Sequence, residues 1–410
     1  MVYKLYKREI LTKIVNFITS KEIIVLHGAR QVGKSTILKI LIEDYIKTNY
    51  FYMDLENREF LELCEKGAET TFNYLIQKGL DRKKKMYLLI DEIQYLSDPS
   101  NFLKLFHDHF SEVKLIVSGS SSFDIKKKFK NSLVGRTINF EIYPLNFSEF
   151  LLFKEKEYKL SEENIELINK ELIPFYEEYI RFGGYPQIVL ESSEEKKKEY
   201  LNQIISTYIK KDIRDLAEIR DIDSFNKLVE VLASQSGNLL DLNELSRTLS
   251  ISRKTLSEYI FLLESTYILK LIRPFYKNTR SELIKTPKIF FIDTGLMHIL
   301  SLREFPKNIQ GNSFETSLFS ELLKIQKKVN FWRTTNKQEI DFIIQNKQEL
   351  FAIEAKLNFQ SSLTSALSFF KEKYSSKNFL TSIYGEKEDS EALMKKYPWE
   401  IVRLIGGFYF

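Results

Sequence analysis

The sequence predicts an α/β protein: a parallel β-sheet wrapped by helices, followed by helical and mixed blocks. Three observations carry this expectation. Short apolar runs alternate with helical stretches through residues 1–150, a glycine-rich loop joins one such run to a helix, and residues 311–410 read helix, strand, strand, helix, strand.

With 410 residues and 43% hydrophobic content, the chain is long enough for two to four domains, each with its own core. Cys64 is the single cysteine, so no internal disulfide forms, and no apolar run approaches the length that crosses a bilayer. A reducing cytoplasm and no membrane partner are expected. The opening stretch YKREILTKIVNFITS reads as an amphipathic helix, not a signal peptide. A net charge of +5 permits nucleic-acid binding without demanding it, and the lysine runs in DRKKKMYLLIDE, IKKKFKNSLVGR and EKKKEY read as solvated faces. Among four histidines only His107 and His109 lie close together, which excludes a zinc-ligand spacing and places HDH on a helix surface.

Turn residues cut the chain into four blocks. The first, 1–150, holds the β-rich runs EIIVLHG, NYFYMDL, MYLLID, VKLIVSGS and TINFEIYPL; the second, 151–215, is helical and broken by RFGGYP. Residues 216–310 give three short helical periods, then YILKLIRPF, an extended run ended by proline, then a connector; this is a winged-helix pattern. Residues 311–410 form the last α/β block.

The chemistry begins at GARQVGKST, which fits G-x-x-x-x-G-K-[ST] at Gly28, Gly33, Lys34 and Ser35, after an apolar strand and before a helix. Glycines let backbone N–H groups wrap phosphates, the helix N-terminus adds a favourable dipole, Lys34 reaches the β and γ phosphates, and Ser35 ligates Mg2+. ATP is therefore expected against Gly28, Ala29, Arg30, Gln31, Val32, Gly33, Lys34, Ser35 and Thr36. The strand MYLLIDE ends in Asp91, expected to hold the metal through water, and Glu92, placed to polarise the attacking water. LIVSGSSS offers Ser118 or Ser120 as γ-phosphate sensors. Arg136 in SLVGRT reads either as an arginine finger on a neighbouring subunit's nucleotide or as a local partner of a carboxylate.

The phosphate loop, LLIDE, SGSSS, SLVGR, YPLNFSEF and GGYP, in this order, resemble the AAA+ family ATPases of archaea and bacteria that end in a conserved domain of unknown function. The similarity covers essentially the whole chain. It implies that residues 151–215 form a helical lid and that Gly184 and Pro186 contact adenine. Ala29 stands where the family usually has proline, which alters loop stiffness more than chemistry.

Within the winged-helix block, DLNELSRTLSISRKTLSEYIFLLEST predicts two helices with Ser252 as a cap. Leu256, Tyr259, Ile260 and Leu263 recur at helical spacing and leave Arg253, Lys254 and Ser257 outward, where a recognition helix meets DNA. Arg273 and Lys277 near the wing are candidate phosphate contacts, while Glu258 and Glu264 dilute the positive face and keep protein docking open as the alternative.

The hairpin EIDFIIQNKQELFAIEAK places Glu354 and Lys356 on one face of a strand, with Asp341 brought across from them if the hairpin closes. Two carboxylates and a lysine at one point are suited to hold Mg2+ and activate water. The order Asp, Glu-x-Lys resembles the restriction-endonuclease-like PD-(D/E)XK nucleases, which implies metal ligation by Asp341 and Glu354 and a further acidic ligand at Glu315 in GNSFET. Trp332 and Arg333 before the hairpin match the terminal domain of the same ATPase family, some members of which keep the fold without cleavage.

Together these features predict an ATP-hydrolysing, DNA-binding homo-oligomer, with a hexameric ring as the size to test, that processes duplex or branched DNA and carries a Mg2+-dependent nuclease or a clamp derived from one. The competing expectation is a nucleotide-controlled regulatory switch that docks protein through its winged helix and has an inactive nuclease-like tail.

Overall fold

The computed structural model describes residues 5–119, 133–207, 209, 221–276, 285–325, 327–346, 349–359, 364–385, 387 and 393–406. The chain clusters into two compact units, where four blocks were expected. The first runs to Tyr143 and includes Ser265–Tyr267; the second comprises Pro144–Glu264 and Ile268–Tyr409.

The first unit contains, in order, α1 (Ile10–Val15), β1 (Ile23–His27), α2 (Lys34–Ile40, continued by a π-helical stretch Leu41–Ile46), β2 (Tyr50–Asp54), α3 (Arg58–Glu65), α4 (Ala68–Gln77), β3 (Met86–Asp91), α5 (Pro99–His109), β4 (Val113–Gly119) and β5 (Thr137–Glu141). The strands form one parallel sheet in the order β2-β3-β4-β1-β5. Burial explains their composition: β1 and β4 are buried at every position and β3 at all but one, as central parallel strands must be, whereas the edge strands β2 and β5 each bury a single residue fully. One face packs Leu88, Ile90 and Leu115 against Phe72, Phe102 and Phe106 of the helices. Asn57 caps α3, and Asp98 followed by Pro99 starts α5.

The second unit opens with α6 (Phe147–Phe153), α7 (Glu166–Phe182), α8 (Pro186–Leu190) and α9 (Glu194–Ile204). Next come α10 (Ile222–Ser234), α11 (Leu242–Leu249) and α12 (Arg253–Ser265), then an antiparallel ribbon of β6 (Leu269–Ile272) and β7 (Lys288–Phe291), with Leu239 bridging to Lys288. The chain continues through α13 (Thr294–Leu302), α14 (Gly311–Lys324), β8 (Val329–Arg333), β9 (Glu339–Asn346), β10 (Glu349–Ala355), α15 (Ser365–Tyr374), β11 (Lys377–Thr381), β12 (Met394–Lys396) and α16 (Pro398–Gly406). Its sheet has the order β12-β11-β10-β9-β8, antiparallel from β8 to β10 and parallel from β10 to β12. Among the described residues, no helix is long and apolar enough to cross a membrane.

Buried carboxylates explain why residues 147–184 and the chain from Asp293 to Gly406 do not separate. Glu321 on α14 accepts from the Phe147 N–H that opens α6 (3.0 Å) and from the Tyr179 hydroxyl (2.6 Å). Glu400 on α16, fully buried, accepts from Asn164 N (2.9 Å), Asn169 Nδ2 (3.2 Å) and Lys387 Nζ (3.0 Å). Asp293 caps α13 through Leu296 N (2.9 Å) and also accepts from Gly184 N (2.7 Å). A buried charge is tolerated only when its partners surround it, and here those partners come from distant parts of the chain.

His298 on α13 is buried between Arg181 O (3.0 Å from Nδ1) and the Ser313 hydroxyl (2.8 Å from Nε2), so Nδ1 carries the proton and Nε2 accepts. Burial lowers its pKa from the ordinary 6.5 to about 4. The unfolded chain takes up this proton near pH 6.5 and the folded chain only near 4. Its contribution to stability is therefore complete above 6.5 and is lost as pH falls to 4, a change of about 3 kcal/mol. Urea midpoints measured across this window should fall more steeply for the wild type than for His298→Gln. Parallel pH profiles would refute the assignment.

Candidate functional site

In the first unit, β1 delivers the chain to the loop Gly28–Gly33 and α2 carries it away. Gly28 passes so close to the chain leaving β5 that a Cβ there would lie 2.0 Å from the Ile142 carbonyl oxygen. Gly33 has φ of 98°, a left-handed conformation, and is the N-cap of α2 without a side-chain cap. The first-turn N–H groups of α2 are thus left for an incoming anion. Ala29 and Val32 are buried, Arg30, Ser35 and Thr36 half-buried and Gln31 exposed.

Lys34 is buried, and its ammonium folds back across the loop to Gly28 O (3.1 Å) and Ala29 O (2.8 Å). Burial lowers its pKa, while Glu92 and Asp91 pull it up. A desolvated ammonium with two carbonyl partners beside an uncapped helix start fits a polyphosphate, whose oxygens offer stronger acceptors. Asp91, also buried, ends β3 and accepts from the hydroxyls of Tyr52 (3.0 Å) and Ser118 and from Glu92 N (3.2 Å). So surrounded by donors, it suits a carboxylate that holds a metal through water. Burial, then Asp91, raises the Tyr52 hydroxyl's pKa and keeps it a donor. Glu92 turns away through a left-handed residue (φ 54°) and its carboxylate accepts from Gln94 Nε2.

The remaining candidate residues have the following surroundings. Ser118 is committed to Asp91, and Ser120 lies outside the described residues. Arg136 precedes β5 beside Ile23, the first residue of β1, at the end of the sheet opposite the loop. It grips Asp108 bidentately, Nε to Oδ1 at 2.8 Å and Nη2 to Oδ2 at 3.0 Å. Within this chain it is not part of the nucleotide site, because local ion pairing claims its fork. Gly184 and Pro186 belong to the second unit, where Gly184 O accepts from Leu145 N (2.7 Å) and Pro186 starts α8.

A residue that the sequence reading passed over supports the loop. Arg8, 7% exposed, donates to Val32 O (2.8 Å) and Tyr143 O (2.9 Å), tying the phosphate loop to the end of the unit. Preceding an ordinary amphipathic helix, it carried no sequence signal. Behind the loop, His27 bonds the Tyr267 hydroxyl (2.5 Å).

In the second unit, Leu256, Tyr259, Ile260 and Leu263 of α12 are buried and Arg253, Lys254 and Ser257 exposed, with Ser252 capping Thr255 N (3.2 Å). Glu258 is exposed among them. Main-chain Arg273 O accepts from Asn330 Nδ2 (2.9 Å) and Phe331 N (3.3 Å), and Lys277 lies outside the described residues.

The β9–β10 hairpin brings Asp341, Glu354 and Lys356 together. Lys356 Nζ lies 3.4 Å from Glu354 Oε1 and 3.7 Å from Asp341 Oδ2; Asp341 also accepts from Ala355 N (2.8 Å), and Glu354 from the Thr364 hydroxyl (2.7 Å). Glu315, on α14, turns instead to Lys288 Nζ at 3.1 Å. Lys288 also meets Glu339 at 2.6 Å, and Glu339 meets Arg333 Nη1 at 2.8 Å. Burial, then Asp341, raises the pKa of Glu315, and Lys288 opposes the rise. The metal trio Glu315, Asp341 and Glu354 expected from the sequence is not assembled: among the described residues, no three His, Cys, Asp or Glu side chains converge to hold a metal ion. Lys288, absent from the sequence reading, has Glu315 and Glu339 as its partners.

Residues 20–151 match the family model described as an AAA domain. This stretch lies in the first unit apart from its last residues and contains the phosphate loop Gly28–Ser35. Two further models, both described as domains of unknown function, match residues 173–307 (DUF8612) and 310–400 (DUF4143). An uncharacterized protein of Methanocaldococcus jannaschii is 29% identical over 365 residues, 87% of this chain and 78% of its own. One of Haemophilus influenzae is 26% identical over 398 residues, 93% and 94% of the two chains. Among solved structures, a RuvB mutant of Thermotoga maritima is similar with 17% identity and a TM-score of 0.34, over 65% of this chain and 90% of that one.

Proposed function

We propose that the chain is an ATP-driven, DNA-binding homo-oligomer in which nucleotide turnover at Lys34, Asp91 and Glu92 moves DNA held by the second unit. The observation that carries the ATPase part is the buried Lys34 ammonium beside an uncapped helix and a hydrogen-bonded Asp91. Lys34 draws the β and γ phosphates into the loop, and Glu92 takes the proton from the attacking water. Ser35, and Asp91 through water, would hold Mg2+, which would supply neutralisation of the phosphoryl oxygens. Lys34→Ala should lower kcat/KM for ATP by about a hundredfold or more. Unchanged affinity and turnover in that variant would end the proposal.

For DNA, the support is the order α10, α11, α12, β6, β7, read here as a winged helix, with Arg253 and Lys254 exposed at the start of α12. Duplex or branched DNA should stimulate ATP turnover. Arg253→Ala/Lys254→Ala should reduce the slope of log K against log salt by about 2. Turnover indifferent to every DNA shape would instead favour the second reading, a regulatory switch with an inactive tail. The pairing of Glu315 and Glu339 by Lys288 is the observation on that side. The strand order and the Asp341, Glu354, Lys356 cluster support a restriction-endonuclease-like block that grips DNA; no cleavage step through a metal is assigned to it.

A further inference from the structure

The carboxylate pocket of the second unit already contains a cation, and it comes from outside the α/β block that resembles a nuclease. Lys288 is the first residue of β7 and pairs there with Ile272 of β6 and with Leu239. Its stem runs beside the Phe331 ring (5.6 Å from Nζ to the centroid), and its side chain is only 4% exposed. The ammonium reaches Glu315 at 3.1 Å and Glu339 at 2.6 Å. Around it, the carboxylates of Glu315, Glu339, Asp341 and Glu354 face the cations Lys288, Arg333 and Lys356. This near-balance matters: a divalent ion binds hard oxygen ligands in proportion to their uncompensated charge.

We propose that Lys288 is the resident cation of this pocket, standing where a divalent ion would otherwise be shared by the carboxylates, so that the folded chain excludes metal there until Lys288 is removed. The proposal rests on the endonuclease-like reading of the block. The Mg2+ implied by that resemblance does not fit the pocket as built. An ammonium provides one charge and up to three hydrogen bonds at fixed positions; it neutralises the glutamates but cannot polarise a bound water as a divalent ion does. Lys288 therefore converts a metal centre into a structural charge cluster joining the β6–β7 ribbon to the hairpin block.

The test uses the full chain, free of nucleotide so that the phosphate loop holds no metal, with Mn2+ as the probe. In wild type, millimolar Mn2+ should leave the thermal midpoint unchanged. Lys288→Met should be destabilised in EDTA and recover by about 5 °C or more with Mn2+. The double variant Lys288→Met/Glu315→Gln should be stable in EDTA and insensitive to Mn2+. Equal Mn2+ stabilisation of wild type and Lys288→Met would overturn the proposal. So would a Lys288→Met protein that stays unfolded with and without Mn2+ while the double variant folds. The DNA-dependent ATPase assays do not involve Lys288, so failure of the broader reading and failure of this inference are seen separately.

Discussion

Glu92→Gln is expected to lower kcat for ATP by about 10²- to 10⁴-fold while leaving nucleotide affinity nearly unchanged. The substitution keeps the size of the side chain but removes the carboxylate proposed as the base. Glu92 sits one residue beyond Asp91 and, through its left-handed backbone, leaves the strand direction that carries Asp91 into the sheet. The two carboxylates thus have different surroundings: Asp91 is enclosed by Tyr52, Ser118 and a backbone N–H, and Glu92 is half-buried with Gln94 as its partner. Asp91→Asn should accordingly weaken Mg2+-dependent nucleotide binding, which Glu92→Gln should not. Single-turnover kinetics beside equilibrium nucleotide titration separate the two. Were Glu92→Gln to lose binding and turnover in parallel, its assignment as the base would be withdrawn.

Glu400→Ala should cost about 3–5 kcal/mol, because Glu400 is fully buried and its removal leaves Lys387, Asn164 N and Asn169 short of an acceptor. Glu400→Gln should cost less, since one oxygen remains to accept. The effect should register equally at both ends of the second unit. Trp399 fluorescence and a probe on α7 should report one shared denaturation midpoint, in wild type and in the variant. Two separated midpoints would show that the helical region and the tail fold independently.

Much of the first unit was readable from local signals. Central strands buried on both faces must be continuously apolar, so EIIVLHG, MYLLID and VKLIVSGS declare themselves, and the phosphate loop is specified by glycines whose backbone geometry no other residue supplies. The apolar stripe of α12 and the apolar runs of β9 and β10 were equally local. What escaped was long-range. Glu321 answers Phe147 across 174 residues and Glu400 answers Asn164 across 236, so the cross-links that fuse four expected blocks into two units leave no periodic trace. Lys288 is one lysine heading an apolar strand in what read as a connector; only its arrival beside Glu315 and Glu339 gives it meaning. Arg136, read either as a finger on a neighbouring subunit or as a local partner of a carboxylate, meets Asp108 within this chain, a pairing no periodicity announces.

The buried carboxylates Glu321 and Glu400 also bear on how such chains diversify. A C-terminal block held by partners scattered from Phe147 to Tyr179 cannot be traded between relatives like a cassette. A recombination event near Gly311 would join acceptors from one parent to donors shaped by another, and the hybrid would carry desolvated charge with nothing to meet it. Inheritance should therefore favour keeping the segment from Pro144 to the tail intact, and swaps of whole second units between homologues should succeed where swaps of the tail alone fail.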